Sequence, residues 1–190
     1  MRGVLLGIAA ISLRPLNSNG EAPTPEQPTI WLPGVTEAGL ETIYEAGQRT
    51  PISVDGVGVI DVSEEDDTLI GVDLTVSGVQ LDLNALLVAV GGTVSSTEGV
   101  TTGWTAPTIT QQRDDRRRLE TDVYVRAIGS GGQTEGYLRH RLYFCRGTMQ
   151  GLSHSIRGVV RPAMIVKARP HPSTKLVNSA DFVASVPDHE

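Results

Sequence analysis

Hydrophobic and polar positions alternate most regularly over residues 68–78. Ile70, Val72, Leu74 and Val76 fall on one side; Leu69, Gly71, Asp73, Thr75 and Ser77 fall on the other. All of the second set but Leu69 are small or polar. A period of two with this split predicts a strand with one face to a core and one to water. A second alternating pair lies further on. Val123, Val125 and Ala127 alternate with Asp122, Tyr124 and Arg126, and Leu138, Leu142 and Phe144 alternate with Arg139, Arg141 and Tyr143. These predict a hairpin over 121–128 and 136–146. The Gly-rich join 129–135 exceeds a tight turn and is expected to be mobile.

The period changes at residues 82–90. Leu83, Leu86, Leu87 and Val90 have the i, i+3, i+4, i+7 spacing of a helix, with Asp82 as its cap and Gly91-Gly92 as its stop. At about ten residues it needs a sheet to pack on.

Weaker strands are expected at 3–13, 39–44, 57–62, 107–111, 159–160 and 163–168. Residues 17–33 carry Pro23, Pro25, Pro28 and Pro33, which block regular structure and predict a long arm anchored by Trp31. Residues 47–51 read as a turn, 63–67 as an acidic loop, and 93–103 as a Ser/Thr/Gly loop ending at Trp104. Beyond Pro170 a polar tail follows, with Phe182 as its anchor. The expected fold is mainly β: a sandwich or barrel of roughly eight to ten strands with one short helix packed on it. Extended N- and C-terminal arms and a long hairpin complete it. One domain covers 1–190, with an arm at 14–38 and a tail at 170–190. There is no internal repeat or heptad seam.

Composition narrows the class. Aromatics are only 4% of the chain, so the core must be mostly Val, Leu, Ile and Ala. The 21 glycines and 11 prolines suit a β-rich domain with many turns. Cys145 is the single cysteine, which excludes an intrachain disulfide and any CxxC metal site. Met1-Arg2 and the apolar 3–13 stretch resemble the start of a signal peptide, but no small-x-small site ends the run. No apolar run reaches the ~20 residues that span a bilayer. The reading is a soluble, non-secreted chain with an N-terminal strand.

Charge adds a second pattern. Residues 1–100 hold 14 acids and 3 bases, a balance of −11, and residues 101–190 hold 8 acids and 13 bases, a balance of +5. Opposite charges on two surfaces of one subunit favour front-to-back contacts, which build rings or stacks. If the halves interleave in the fold, the charges average out instead.

No chemistry competes with that signal. Cys145 and His140 sit five apart in one predicted strand, so parity puts them on opposite faces and argues against a dyad. Ser153-His154-Ser155 lacks a glycine elbow. The four histidines lack metal-site spacing. The acidic run 61–67 lacks the glycine and closing Glu of a calcium loop. Residues 129–132 lack the Lys-Ser/Thr of a phosphate loop. No catalytic residue, metal or cofactor is expected, and the chain is not read as an enzyme. Arg113, Arg116, Arg117 and Arg118 lie among Asp114, Asp115 and Glu120. That mixture, without interleaved aromatics, points to a salt-bridged contact between subunits, or to an exposed loop, rather than to nucleic acid.

The layout resembles the major tail tube proteins of long-tailed bacteriophages, related in fold to the needle-tube subunits of contractile injection systems. The resemblance lies in the 3–13 strand and the arm after it, the acidic loop, the 68–78 strand, the single helix, the 121–146 hairpin and the trailing strands. It implies β-sandwich subunits in hexameric rings that stack head to tail in a virion tail, assembled in the host cytoplasm. The implied partners are further copies, other tail proteins, and genomic DNA passing without specific binding; no membrane is implied. A DNA channel with an acidic or neutral wall points to Asp73, Thr75 and Ser77 as lining residues, followed by Asp61, Glu64 and Glu65. Two other readings remain: a tail terminator or connector making one ring, and a monomeric β-sandwich binding module.

Overall fold

The structure is a computed structural model that describes residues 4–23, 28–47, 49–54, 58–64, 66–77, 83–108, 118–153 and 161–187. The charged hairpin supplies its longest strands. β9 (Arg118–Ile128) and β10 (Thr134–Ser153) pair antiparallel, and β10 serves both portions of the main sheet. Its first half is flanked by β9 and by β12 (Asn178–Val183); its second half pairs with β11 (Arg161–Ala168). The changeover falls at a register shift between Leu142 and Cys145, where Phe144 adopts φ 50°. A bulge of this kind bends a strand, and here it turns β10 from one portion into the other. The left-handed conformation is uncommon for a bulky residue. The Arg118 guanidinium 4.2 Å above the Phe144 ring helps hold the corner.

β1 (Val4–Leu16) lies beside β9, and β2 (Ile30–Trp31) folds back onto β1 at Ser12 and Leu13. On the far side, β6 (Thr68–Ser77) pairs with β11, and β3 (Glu37–Glu45) pairs with β6. The order is β2-β1-β9-β10-β11-β6-β3, with β12 added on β10. The two portions meet through one core. Ile11, Leu13, Leu119 and Val123 come from one portion, and Val72, Leu74, Val76, Met164 and Val166 from the other. The apolar face expected for 68–78 is therefore buried from Val72 to Val76, while Ile70 is half-buried.

α1 (Leu83–Val90) is the one helix among the described residues. Its buried side chains are Ala85, Leu86, Val88 and Ala89; the expected stripe of Leu83, Leu86, Leu87 and Val90 is rotated, leaving Leu83, Leu87 and Val90 half-buried. The physical reason is close approach. α1 lies against β10, β1 and β2, and a Cβ at Gly147 of β10 would come 2.6 Å from the Ala89 carbonyl oxygen. A small alanine, Ala89, faces that glycine. The expected helix cap, Asp82, lies outside the described residues.

The described residues form twelve strands, more than the sequence pattern predicts. Residues 93–103 are not a loop: β7 (Thr93–Thr97) and β8 (Val100–Thr105) form a hairpin anchored by Trp104 Nε1 donating to the Gly91 carbonyl at 2.8 Å. The 47–51 turn gives way to β4 (Arg49–Val54), which pairs with β5 (Gly58–Glu64) in a separate ribbon. The join between β9 and β10 is closed by Gly129 N–H to Gln133 O and Gly132 N–H to Gly129 O, both 3.0 Å. Pro107 and Thr108 lie in no strand; residues 109–111 and 159–160 lie outside the described residues.

The terminal segments also fold back. Asn17 Oδ1 accepts from Asn19 and Glu21 N–H groups and shapes a tight turn. His171 Nδ1 accepts from Ser173 and Thr174 N–H groups, so its Nε2 carries the proton and donates to Gly20 O at 3.1 Å. Within the tail, β12 joins the main sheet, but Phe182 stands 57% exposed and is not packed as an anchor among the described residues.

Candidate functional site

Two polar surfaces follow from the strand register. On the β1–β9–β10–β12 portion, residues opposite one another share a face. Ser12 opposes Asp122, Asp122 opposes Arg141, and Arg141 opposes Ser179; Arg14 opposes Glu120, and Tyr124 opposes Arg139, which opposes Asp181. Three arginines thus meet three carboxylates on the face turned away from the core.

The network is well paired. Arg141 grips Asp122 with Nε to Oδ1 at 2.8 Å and Nη2 to Oδ2 at 2.9 Å, and its Nε stands 3.3 Å from Glu120. Arg14 Nη2 donates to the same Glu120. Arg139 grips both oxygens of Asp181. Bidentate forks of this kind are the strong form of ion pair. The Asp122 hydrogen bond raises the Arg141 pKa, and the Asp181 hydrogen bond raises that of Arg139. Arg139 in turn lowers the Asp181 carboxyl below its usual value. Burial, with Asp122 close by, raises the Tyr124 phenol, whose hydroxyl donates to Asp122 at 3.3 Å. Asp122 is only 7% exposed because the arm covers this face: the Trp31 ring lies 5.8 Å from that of Tyr124. Between the arm and the sheet is an open cleft of about 290 Å³, whose lining includes Arg14, Thr29, Trp31, Arg139, Arg141 and Pro187.

The second surface is the polar face of β3, β6, β11 and the end of β10. Glu41, Asp73, Lys167 and Arg146 form one row across these four strands, acids toward the β3 edge and bases toward the middle. Asp73 lies 3.7 Å from Lys167 Nζ and 3.2 Å from Arg169 Nη1. Thr75 is exposed, and the Ser77 carbonyl accepts from Thr36 N–H at 3.1 Å. Asp61 and Glu64 fall on β5, with side chains outside the described residues, as Glu65 is altogether. Arg118 opens β9 and stacks on Phe144; Arg113, Arg116 and Arg117 lie outside the described residues.

The two charge halves interleave in part in this order, and ion pairs cross between them, Arg14 with Glu120 and Asp73 with Lys167 and Arg169. β6 and β3 sit together at one end, and β9, β10 and β11 sit together beside them; of the main-sheet strands from the acidic half, β1 and β2 lie beyond β9. β3 is an edge strand whose Glu37, Glu41 and Glu45 are all exposed, as are Leu40 at 42% and Tyr44 at 57%.

The Cys145–His140 parity is reversed by the β10 bulge. His140 opposes Val123 and Cys145 opposes Leu119, so both share one side of the sheet. Cys145 is nevertheless fully buried, donates to the Leu142 carbonyl at 3.3 Å, and has its thiol pushed up to about 12 by burial. A thiol at that value is a poor nucleophile. Among the described residues, no group of three or more His, Cys, Asp and Glu side chains could hold a metal ion. Nor is any helix there long and apolar enough to cross a membrane.

No protein-family model matches the chain, and no curated protein matches it. Among solved structures, the chain is similar to one in the six-fold symmetrised baseplate of the anti-feeding prophage, with a TM-score of 0.37 and 8% identity over 92% of each chain. It is also similar to a crystal structure of Hcp protein, with a TM-score of 0.40 and 10% identity over 94% of this chain and all of that one.

The ionic network escaped the sequence reading, yet its signal was present. Glu120 and Asp122 on one arm of a hairpin, with Arg139 and Arg141 on the other, place opposite charges on matching faces.

Proposed function

We propose that this chain is a structural subunit of a phage-type tail tube, forming hexameric rings that stack head to tail in the virion tail after assembly in the host cytoplasm. Its partners are further copies, other tail proteins, and the DNA that slides through the channel. The observation that carries the reading is the acidic edge strand β3, nine residues long, set at one end of a sheet whose middle is basic. A monomer protects long edges by shortening, covering or charging them. Here the glutamates accompany exposed Leu40 and Tyr44, apolar surface suited to a neighbour's strand. The channel wall draws on Asp73, Thr75 and Ser77 of β6. Asp73, paired with both Lys167 and Arg169, contributes a compensated surface with one base in excess there rather than a strongly repulsive one. Asp61, Glu64 and Glu65 supply further acid, and Arg113, Arg116, Arg117 and Arg118 contact a neighbouring subunit.

Sedimentation velocity across a salt series tests this reading. Contacts between opposite charges weaken as the screening length falls. Large assemblies are expected at low salt, shrinking as salt rises. A 20.3 kDa monomer under every condition contradicts the proposal.

A further inference from the structure

We propose that His171 is a pH-sensitive fastener between the two chain ends. Its neutral ring holds both the arm and the tail turn; its protonated ring keeps the arm and loosens the turn. The device is independent of how copies assemble.

The ring sits where two small turns meet. On the arm, Gly20 N–H donates to Asn17 O at 3.1 Å, and Asn17 N–H donates to Glu21 O at 2.8 Å. On the tail, His171 N–H donates to Leu176 O and Lys175 N–H donates to His171 O, both at 2.9 Å. The imidazole bridges the two turns. Its Nε2 lies 3.1 Å from Gly20 O, and its Nδ1 accepts from Ser173 N–H at 3.2 Å and Thr174 N–H at 3.3 Å. The approach to the arm is close: a Cβ at Gly20, where φ is +87°, would lie 2.3 Å from Nε2. The Phe144 ring stands edge-on to the imidazole, with centroids 6.0 Å apart, and borders it on the side of the β10 corner.

The two nitrogens respond oppositely to a proton. Nδ1 is the acceptor for two N–H groups, and a proton placed there makes it a third donor at the same point. Ser173 and Thr174 then lose their acceptor and face a positive charge. Nε2 already donates, and on an imidazolium its bond to Gly20 O becomes charge-assisted and stronger. Loss at one nitrogen is offset at the other, so the change is in the order of the turn rather than in the stability of the whole fold. The turn is poised to relax. Residues 173–176 are exposed, and Lys175 is held at φ 60°, a left-handed conformation that a non-glycine residue keeps only where its surroundings fix it. The charged groups on the elements packed about the ring are Glu21 on the arm, Lys175 on the turn, Arg169 just before it, and Arg118 over the Phe144 ring. Glu21 and Lys175 offset one another, and Arg169 is paired with Asp73.

Nitrogen-15 NMR of the full chain tests the device between about pH 8 and 5, the range in which histidines ordinarily titrate. It is read in solution, or in the solid state for assembled protein. The His171 ring should be the Nε2–H tautomer at pH 8. As it takes its second proton, the backbone order parameters of Ser173 and Thr174 are expected to fall from about 0.85 to below about 0.6 along the same curve. Residues 19–21 should keep theirs. His171→Asn puts an amide oxygen near the place of Nδ1, an acceptor that no proton removes in this range, and its turn should stay ordered from pH 8 to 5. The acid step of Asp181 lies below 3.8 and is separate. Unchanged order at Ser173 and Thr174 while the ring titrates overturns the proposal. So does a fall in His171→Asn matching that of the wild type, or a loss of order at residues 19–21 together with the turn.

Discussion

Arg139 holds Asp181 through two parallel hydrogen bonds, Nε to Oδ1 at 2.9 Å and Nη2 to Oδ2 at 2.6 Å. This fork ties β12 to β10, and with it the C-terminal segment to the main sheet. The pH dependence follows from its sign. Arg139 lowers the Asp181 pKa below its usual 3.8. The stabilisation is therefore complete above 3.8 and fades as pH falls toward the lowered value. Protection of the amides of residues 178–183 against exchange, taken relative to the unfolded chain at the same pH, should hold at neutral pH and fall only in acid below 3.8. Asp181→Asn should lower that protection at neutral pH and remove the acid step. Equal exchange in both proteins at pH 7 contradicts the tie.

The packing of α1 makes two linked predictions. Leu86 is 3% exposed, and Leu86→Ala should cost about 2–5 kcal/mol in urea unfolding. Leu87→Ala, at a half-buried position, should cost clearly less. Gly147→Ala should cost about 1–3 kcal/mol, because the new methyl meets the Ala89 carbonyl. Losses under half of these lower limits contradict the close approach of helix and strand.

The fully buried Cys145 makes a chemical prediction. With its thiol pushed up to about 12, it stays protonated at pH 8 and inaccessible to a disulfide reagent. Labelling should wait for unfolding and proceed at the unfolding rate in mild denaturant. Rapid stoichiometric labelling of the folded chain contradicts the burial.

The sequence showed what local periodicity encodes. β6, β9 and most of β10 were legible because apolar residues alternate with polar ones along each. The helix was legible in place but not in rotation. Ala89 carries little weight in a hydrophobic pattern, yet it allows contact with Gly147 of β10, a partner more than 50 residues away. β4 was hidden by Pro51, and β7–β8 by a run of serines and threonines with no apolar alternation. That hairpin depends instead on Trp104 reaching Gly91. β12 was hidden because its tie, Asp181 to Arg139, spans distant parts of the chain. The charge halves were visible by counting, but how their strands interleave in the sheet required the strand order. Of the residues expected to line a channel, Asp73, Thr75 and Ser77 lie on one polar face, as the alternation implies, but the two bases beside Asp73 were not anticipated.

Electron microscopy of the purified protein, concentrated at low salt, tests the central claim most directly. The account predicts long tubes of stacked rings with six-fold cross-sections and a central channel. Dispersed single particles of monomer size, with no rings at any concentration, contradict it.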